Sequence, residues 1–310
     1  MERRKFLKQV SLWSAGIIMT PPVFNITPEL FGSPLIKSVI KPDILVAKGD
    51  DYTSMLTQVV ESLGGMKAFV KKGDKVVVKP NIGWDRSVEQ GANTHPVVVT
   101  QIAKLCLDAG ASKVSVFDRT CNEERRCYNN SGIRPALKKI KDKRLRIEYI
   151  DDRKFVSVNI KNGKTLNEWS FYKDALKADC YINVPVAKHH SLSRLSIGLK
   201  NVMGVIGGRR GNIHFKIGAK LADLNTVIKP DLTIVDATRV IVRNGPQGGN
   251  LNDVKRFDTI VGCVDPVAAD AYATTLFDLE PNQIKSTVEA YKRGLGQMDL
   301  TKCNIRHLKS

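Results

Sequence analysis

From Asp43 onward, short runs of β-branched residues alternate with longer amphipathic stretches, and this alternation limits the fold of the 310-residue chain more than any other feature. Residues 44–47, 75–79, 113–118, 146–150, 180–184, 232–236 and 259–264 have the length and composition of strands. Between them, residues 52–63, 96–109, 192–205, 216–228 and 266–277 space their apolar side chains as on one face of a helix. A helix between two strands carries the chain back along the sheet, so consecutive strands point the same way. The pattern predicts an α/β fold, a mostly parallel open sheet with helices on both faces. Residues 155–160, followed by Lys161-Asn162-Gly163-Lys164, add a small antiparallel edge or hairpin, because Asn-Gly supplies the positive φ of a tight turn. No Pro-, Gly- or Ser-rich stretch is long enough to be a linker, so residues 33–310 are expected to form a single domain.

Residues 1–32 have a different character. A basic patch precedes a moderately apolar stretch from Val10 to Phe24 that contains Pro21-Pro22, which is the layout of an export signal. Arg3-Arg4 followed by Phe6, Leu7 and Lys8 resembles the twin-arginine consensus, although Glu2 stands where that consensus has Ser. The resemblance implies the twin-arginine export machinery as a partner, export in folded form, and a periplasmic or cell-envelope location. The alternative is a basic tail. The apolar stretch is too short and polar to span a bilayer, which takes roughly 20 apolar residues, and no other segment qualifies.

Charge narrows the partners. The chain has 49 Lys+Arg against 31 Asp+Glu, a formal net charge of +18. Loss of residues 1–32 removes Arg3, Arg4, Lys5 and Lys8 together with Glu2 and Glu29, leaving 18 − 2, or +16. Such a balance favours anions. Aromatic residues are only 6% and do not interleave with the basic runs, which argues against base stacking, and an exported protein would not meet nucleic acid. A small anionic ligand remains. The six cysteines include no CxxC pair, which excludes an iron–sulfur cluster or zinc ribbon. Cys121 and Cys127 bracket a polar segment and either pair in an oxidising compartment or stay free.

Polar residues gather where strands end. Ligands of open parallel sheets bind beyond the carboxyl ends of the strands. Here those ends carry Lys79 and Asn81, Asp118, Lys188 to His190, Asp236 and Asp265. Each aspartate can equally be a helix N-cap. Pro96 suits the first turn of a helix that Asn93 or Thr94 can cap, leaving His95 at a helix N-terminus, where a histidine stays neutral and able to act as base or metal ligand. Lys188-His189-His190 follows a buried strand, so at least one of the two histidines faces the crevice. Lys200 and Asn201 lie between Gly198 and Gly204, which leave room for a ligand or backbone. Residues 207–214 form a Gly-rich basic loop with Arg209, able to wrap an anion but matching no nucleotide motif.

Several segments taken together resemble the domain-of-unknown-function family 362: VVVKPNIG at 76–83, THPVVVTQIAKLCLDAGASKVSVFD at 94–118, CYINVPVAKHHSLSRLSIGLKNVMG at 180–204, IKPDLTIVDATRVIVRNGPQGG at 228–249 and VGCVDPVAADAYATTL at 261–276. The ferredoxin-type cysteines of some members are missing. A looser similarity in segment order, to nickel-pincer lactate racemases, implies His95 and His190 as acid/base residues and Lys200 as a cofactor-holding residue.

The expected function is that of an exported α/β enzyme acting on a small anionic substrate, with a metal or other cofactor of unknown identity. His95, His190 and Lys200 are the catalytic candidates. Lys79, Asn81, Lys188, Asn201 and Arg209 would bind the cofactor or hold negative charge, and Asp118, Asp236 and Asp265 would orient the histidines or ligate metal. The alternative is a non-catalytic binding protein for anionic cell-envelope ligands.

Overall fold

The computed structural model describes residues 43–161 and 163–309, so the expected leader over 1–32 and Asn162 of the expected turn lie outside the described residues. Along β2 (Lys75–Pro80), Val76 and Val78 enter one apolar cluster and Val77 another. Along β1 (Asp43–Lys48), Leu45 and Ala47 join the first cluster while Ile44 and Val46 join a third. Successive side chains of a strand point to opposite faces, so both faces of the sheet are covered. The helices Tyr52–Ser62 and Pro96–Asp108 cover one face, and Ile217–Val227 and Pro266–Thr275 the other. Each fully buried Val or Leu of these clusters contributes about 1.5–3 kcal/mol.

The main sheet has eight strands in the order β12-β1-β11-β10-β7-β2-β3-β4. Its other members are β3 (Lys113–Val116), β4 (Leu145–Ile147), β7 (Cys180–Val184), β10 (Leu232–Ile241), β11 (Val254–Cys263) and β12 (Asn304–Leu308). Seven run the same way, and β11 opposes both of its neighbours. The fold class expected from the alternation is therefore present. Two hairpins complete the strands: β5 (Phe155–Asn159) with β6 (Glu168–Tyr172), and β8 (Lys188–His190) with β9 (Arg194–Ser196).

Two expectations need correction. Residues 259–263 belong to an antiparallel strand inside the sheet, because the connection 242–253 between β10 and β11 contains no helix beyond the 3₁₀ turn Leu251–Asp253 and nothing carries the chain back across a face. Residues 192–205 are not one helix. Arg194 turns the β8–β9 hairpin at φ 65°, and only the short helix Gly198–Asn201 follows before a 3₁₀ turn. Gly198 is required there, since a Cβ would meet Asp270 Oδ1 at 2.7 Å, and Asp270 accepts hydrogen bonds from Gly198 N and Leu199 N. Of the two alternatives for Cys121 and Cys127, the free form is present: Cys127 is buried in the helix Glu124–Asn130, while Cys121 is an exposed free thiol.

The described residues belong to one compact unit. Among the described residues, no helix is long and apolar enough to cross a membrane.

Candidate functional site

The parallel strands β2 and β7 place Lys79 and Asn183 side by side, and the strand end at Asp118 lies next to them. Lys79 is buried, and its ammonium ion-pairs with Asp118 Oδ1 at 2.8 Å while donating to Asn201 Oδ1 at 2.7 Å. Asn201 donates in turn to the carbonyl of Lys79 at 3.1 Å and to Asn183 Oδ1 at 2.8 Å. Asp118 Oδ2 accepts from the amide of Ile82 at 2.6 Å. Gly204 seals this network, because a Cβ at that position would overlap Asp118 Oδ1 and the end of the Lys79 side chain. Lys188, buried on β8, donates to Asn81 Oδ1 at 3.3 Å and to the carbonyl of Ala92. Buried polar groups need such partners, and here each has them.

Above this floor opens a cleft of about 570 Å³. Lys200, His190, His214, Arg119, Arg210 and Cys121 border it, together with Lys79, Lys188, Asn81, Asn201 and Asp118. Asp118 is the one carboxylate on that lining, against three lysines and two arginines. The arginines are tied to backbone carbonyls: Arg119 donates to Ile206 and Gly208, and Arg210 to Arg119, Met203 and Thr120. Their charge remains. For Lys200 no hydrogen-bond acceptor or carboxylate stands within bonding distance among the described residues.

Electrostatics follow from burial among like charges. Burial pulls Lys79 below its ordinary value, with Asp118 pulling it back up. Lys188 falls to about 7 through burial and then the neighbouring Lys200. Burial lowers Lys200 to about 8, with the neighbouring Cys121 pulling it back up and Arg210 and Lys79 adding repulsion. His190 drops to about 3, again by burial first and then Lys200 and His214, so its ring is neutral. His214 is lowered too, by burial and Lys200. Taking charge out of water disfavours it unless a counter-charge arrives.

Of the sequence-derived candidates, His190, Lys200, Lys79, Asn81, Lys188, Asn201 and Asp118 meet at the cleft. His95, Asp236, Asp265 and Arg209 do not line it. His95 is the N-cap of Pro96–Asp108, a position expected of Asn93 or Thr94; its Nδ1 accepts from Val97 N, and its amide donates to Asp236 Oδ2 at 2.6 Å. Asp236 also accepts from Thr238 N and Oγ1. Asp265 caps Pro266–Thr275, accepting from Val267, Ala268 and Gln297 amides, and because β11 is antiparallel it leaves the sheet at the opposite edge. Arg209 is exposed, and the next residue, Arg210, takes the place expected of it. His214, the end of the Gly-rich loop, received no role from the sequence; its position beside Lys200 appears only once the loop is folded.

The expected metal set of Asp118, Asp236 and Asp265 is dispersed, each carboxylate being engaged by backbone amides or, for Asp118, by Ile82 N and Lys79. Among the described residues no group of three His, Cys, Asp or Glu stands ready to hold a metal ion. A lining of lysines suits an anionic group and repels a bare cation.

The domain of unknown function DUF362 matches residues 76–275, more than half of the chain. A thylakoid-associated protein of Synechocystis sp. is 28% identical over 250 residues, covering 77% of this chain and 74% of that protein. Among solved structures, a Thermotoga maritima protein is similar over 74% of this chain and 60% of its own, with 11% identity and a TM-score of 0.45. The lactate racemase apoprotein of Thermoanaerobacterium thermosaccharolyticum is similar over 69% of this chain and 53% of its own, with 10% identity and a TM-score of 0.39. The chain thus spans less than two thirds of either solved relative. With the family's segments forming the strands, loops and buried lysines of the cleft, the chain belongs to the DUF362 family.

Proposed function

We propose that the cleft binds a small anion and that the protein is an exported enzyme acting on it. The observation that carries this reading is Lys200, an ammonium bordered by further cations and by Cys121, without a hydrogen-bonded or carboxylate partner in a lining that offers a single, already paired carboxylate. A carboxylate, sulfonate or phosphate group would supply the missing counter-charge and offset the repulsion among Lys79, Lys188, Lys200 and Arg210. The neutral His190 and His214 at the same opening supply groups for proton transfer, which favours an enzyme over a passive binding protein.

Export rests on Arg3-Arg4 and the apolar stretch behind them. The thylakoid association named for the Synechocystis relative is compatible with an envelope location. Titrating the protein with sulfate by calorimetry tests the cleft. Saturable binding that weakens as ionic strength rises is expected, because screening lengths fall to about 3 Å at 1 M salt. No binding at low salt would remove the reading. For export, Arg3→Lys with Arg4→Lys should leave the protein in the cytoplasm, and an unchanged envelope fraction would count against it.

A further inference from the structure

Five histidines occur in the chain, and one hydrogen bond sets His214 apart from three of the others. In His95, His189 and His190 the ring Nδ1 accepts backbone amide protons: from Val97, from Gly245, and from Leu192 and Ser193 respectively. A ring nitrogen that accepts carries no proton, so these neutral rings are protonated at Nε2. Nδ1 of His214 instead lies 3.2 Å from the carbonyl oxygen of Gly211. A carbonyl can only accept. Read as a hydrogen bond, this contact requires the proton on Nδ1 of His214 and leaves a lone pair on its Nε2.

The two rings stand together at the cleft. Their centroids are 5.5 Å apart with an interplanar angle of 20°, and both border it beside Lys200. We propose that His190 and His214 play opposite proton roles toward the bound anion, His190 donating its Nε2–H and His214 accepting a proton at Nε2. The proposal rests on the anion reading of the cleft. His190 cannot exchange roles, since a proton on Nδ1 would face two amide N–H groups at 3.1 and 3.3 Å, and a second proton on the ring would place a positive charge next to Lys200 and Lys188. His214 has a carbonyl to orient its imidazolium once charged, which opposes the lowering by burial and Lys200 and gives a gained proton a partner that His190 lacks.

In the step this implies, an acidic hydrogen of the substrate anion leaves as a proton. Its bond to the substrate breaks, a bond to Nε2 of His214 forms, and the electron pair stays on the substrate. The Nε2–H of His190 and the ammonium of Lys200 offset the charge that develops. Return of the proton from His214, to the same atom or to another atom of the substrate, restores the enzyme, and no oxidant or reductant is needed. The substrate class is thus a small anion with an acidic hydrogen near its charged group.

Two measurements on the full chain test the roles. The first is two-bond ¹H–¹⁵N spectroscopy of protein labelled with ¹⁵N-histidine at pH 7.5, with signals assigned through the losses in His190→Gln and His214→Gln. His190 should show the Nε2–H pattern and His214 the Nδ1–H pattern. Since the wild-type spectrum carries the answer, a variant that folds poorly does not obscure it: one Nδ1–H ring against at least three Nε2–H rings is the expected count. The second is sulfate affinity, sulfate being an anion with no proton to give. His190→Gln should weaken it about tenfold, the effect of losing a hydrogen bond to a charged group, while His214→Gln should change it by less than about twofold. Inverted tautomers with sulfate still bound, or equal losses in the two variants, would overturn the proton roles alone. Absence of sulfate binding by the wild type would overturn the anion reading and the roles with it.

Discussion

Two corners of the sheet edge use the same kinds of residue to different ends. At one, Thr94 accepts from Asn81 N and donates to the Val184 carbonyl, His95 caps a helix, and Asp236 gathers the His95 amide with Thr238. Every polar atom named there is used up in holding loops together. A few residues away, the cleft holds Lys200 without a partner, and two neutral histidines whose Nε2 atoms no protein group engages among the described residues. Strand-end histidine and aspartate do not by themselves make a site. What separates the corners is satisfied against unsatisfied hydrogen-bonding capacity, and within the cleft the same division separates the paired floor from its open front.

The floor should break first. Asp118→Asn removes the charge that compensates buried Lys79, so stability should fall by about 3 kcal/mol or more, as when a buried ion pair loses one partner. Chemical denaturation reads this, and the sulfate affinity of the folded fraction should be kept or improved because the only carboxylate on the lining is gone. A loss below about 1 kcal/mol would mean that Lys79 simply gives up its proton and that the pair is not what holds the floor.

The front should behave in the reverse sense. Lys200→Met deletes an unpaired cation and keeps the volume of its stem, so stability should be unchanged or raised while sulfate affinity falls about tenfold or more. If both variants lost stability and affinity together, floor and front would be one unit and the contrast would fail.

Much of the frame was legible in the sequence because burial on both faces leaves a plain mark. The valines of 75–80 and the apolar run of 180–184 could be little else than central parallel strands. The direction of β11 was not legible, since a strand reads the same in either sense and only the helix-free connection before it decides. Edge strand β12 was missed because its exposed Asn304, Arg306 and His307 carry no apolar alternation. Within the site, the lysines next to buried strands were found by sequence position. Arg210 was missed by one residue and His214 altogether, because a Gly-rich loop does not reveal which side chains it turns inward until Gly208 adopts φ 64°. His95 was overvalued for a related reason: Asn93 and Thr94 look like better caps, but their side chains bind Trp84 and Val184 instead, leaving the cap to the histidine ring.

The cap role of His95 offers a sharper division between the corners. His95→Ala removes the acceptor of Val97 N and should cost about 1 kcal/mol, the usual value of an N-cap, whereas His95→Asn retains a capping side chain and should cost less. Neither should alter sulfate affinity. A loss of affinity with stability preserved would return His95 to the functional site.

The smallest effect expected is also the one whose two readouts move oppositely. Lys200 titrates near 8 when folded and near its ordinary 10.5 when unfolded, so between those values the unfolded chain binds more protons. Stability contributed by this site therefore rises with pH across that window, by at most about 1.4 kcal/mol per pH unit. Buried thiols such as Cys180 and Cys263, pushed up to about 12, act in the opposite sense, because their unfolded forms lose protons first. The wild type must accordingly be compared with Lys200→Met, in which the thiols are the same: the stability advantage of the variant should shrink as pH rises above 8. Sulfate affinity should move the other way. With a value near 8, the charged fraction of Lys200 drops about fourfold from pH 7 to pH 8.5, and affinity should fall by about that factor relative to the variant. Lys188, near 7, also loses charge over this range; because Lys200 helps to depress it, its loss is smaller in the variant and adds to the fall of the wild type relative to it. Affinity and stability that changed in the same direction with pH would mean that the ammonium of Lys200 is not the group that meets the anion, and the front of the cleft would have to be sought at Arg119 and Arg210 instead.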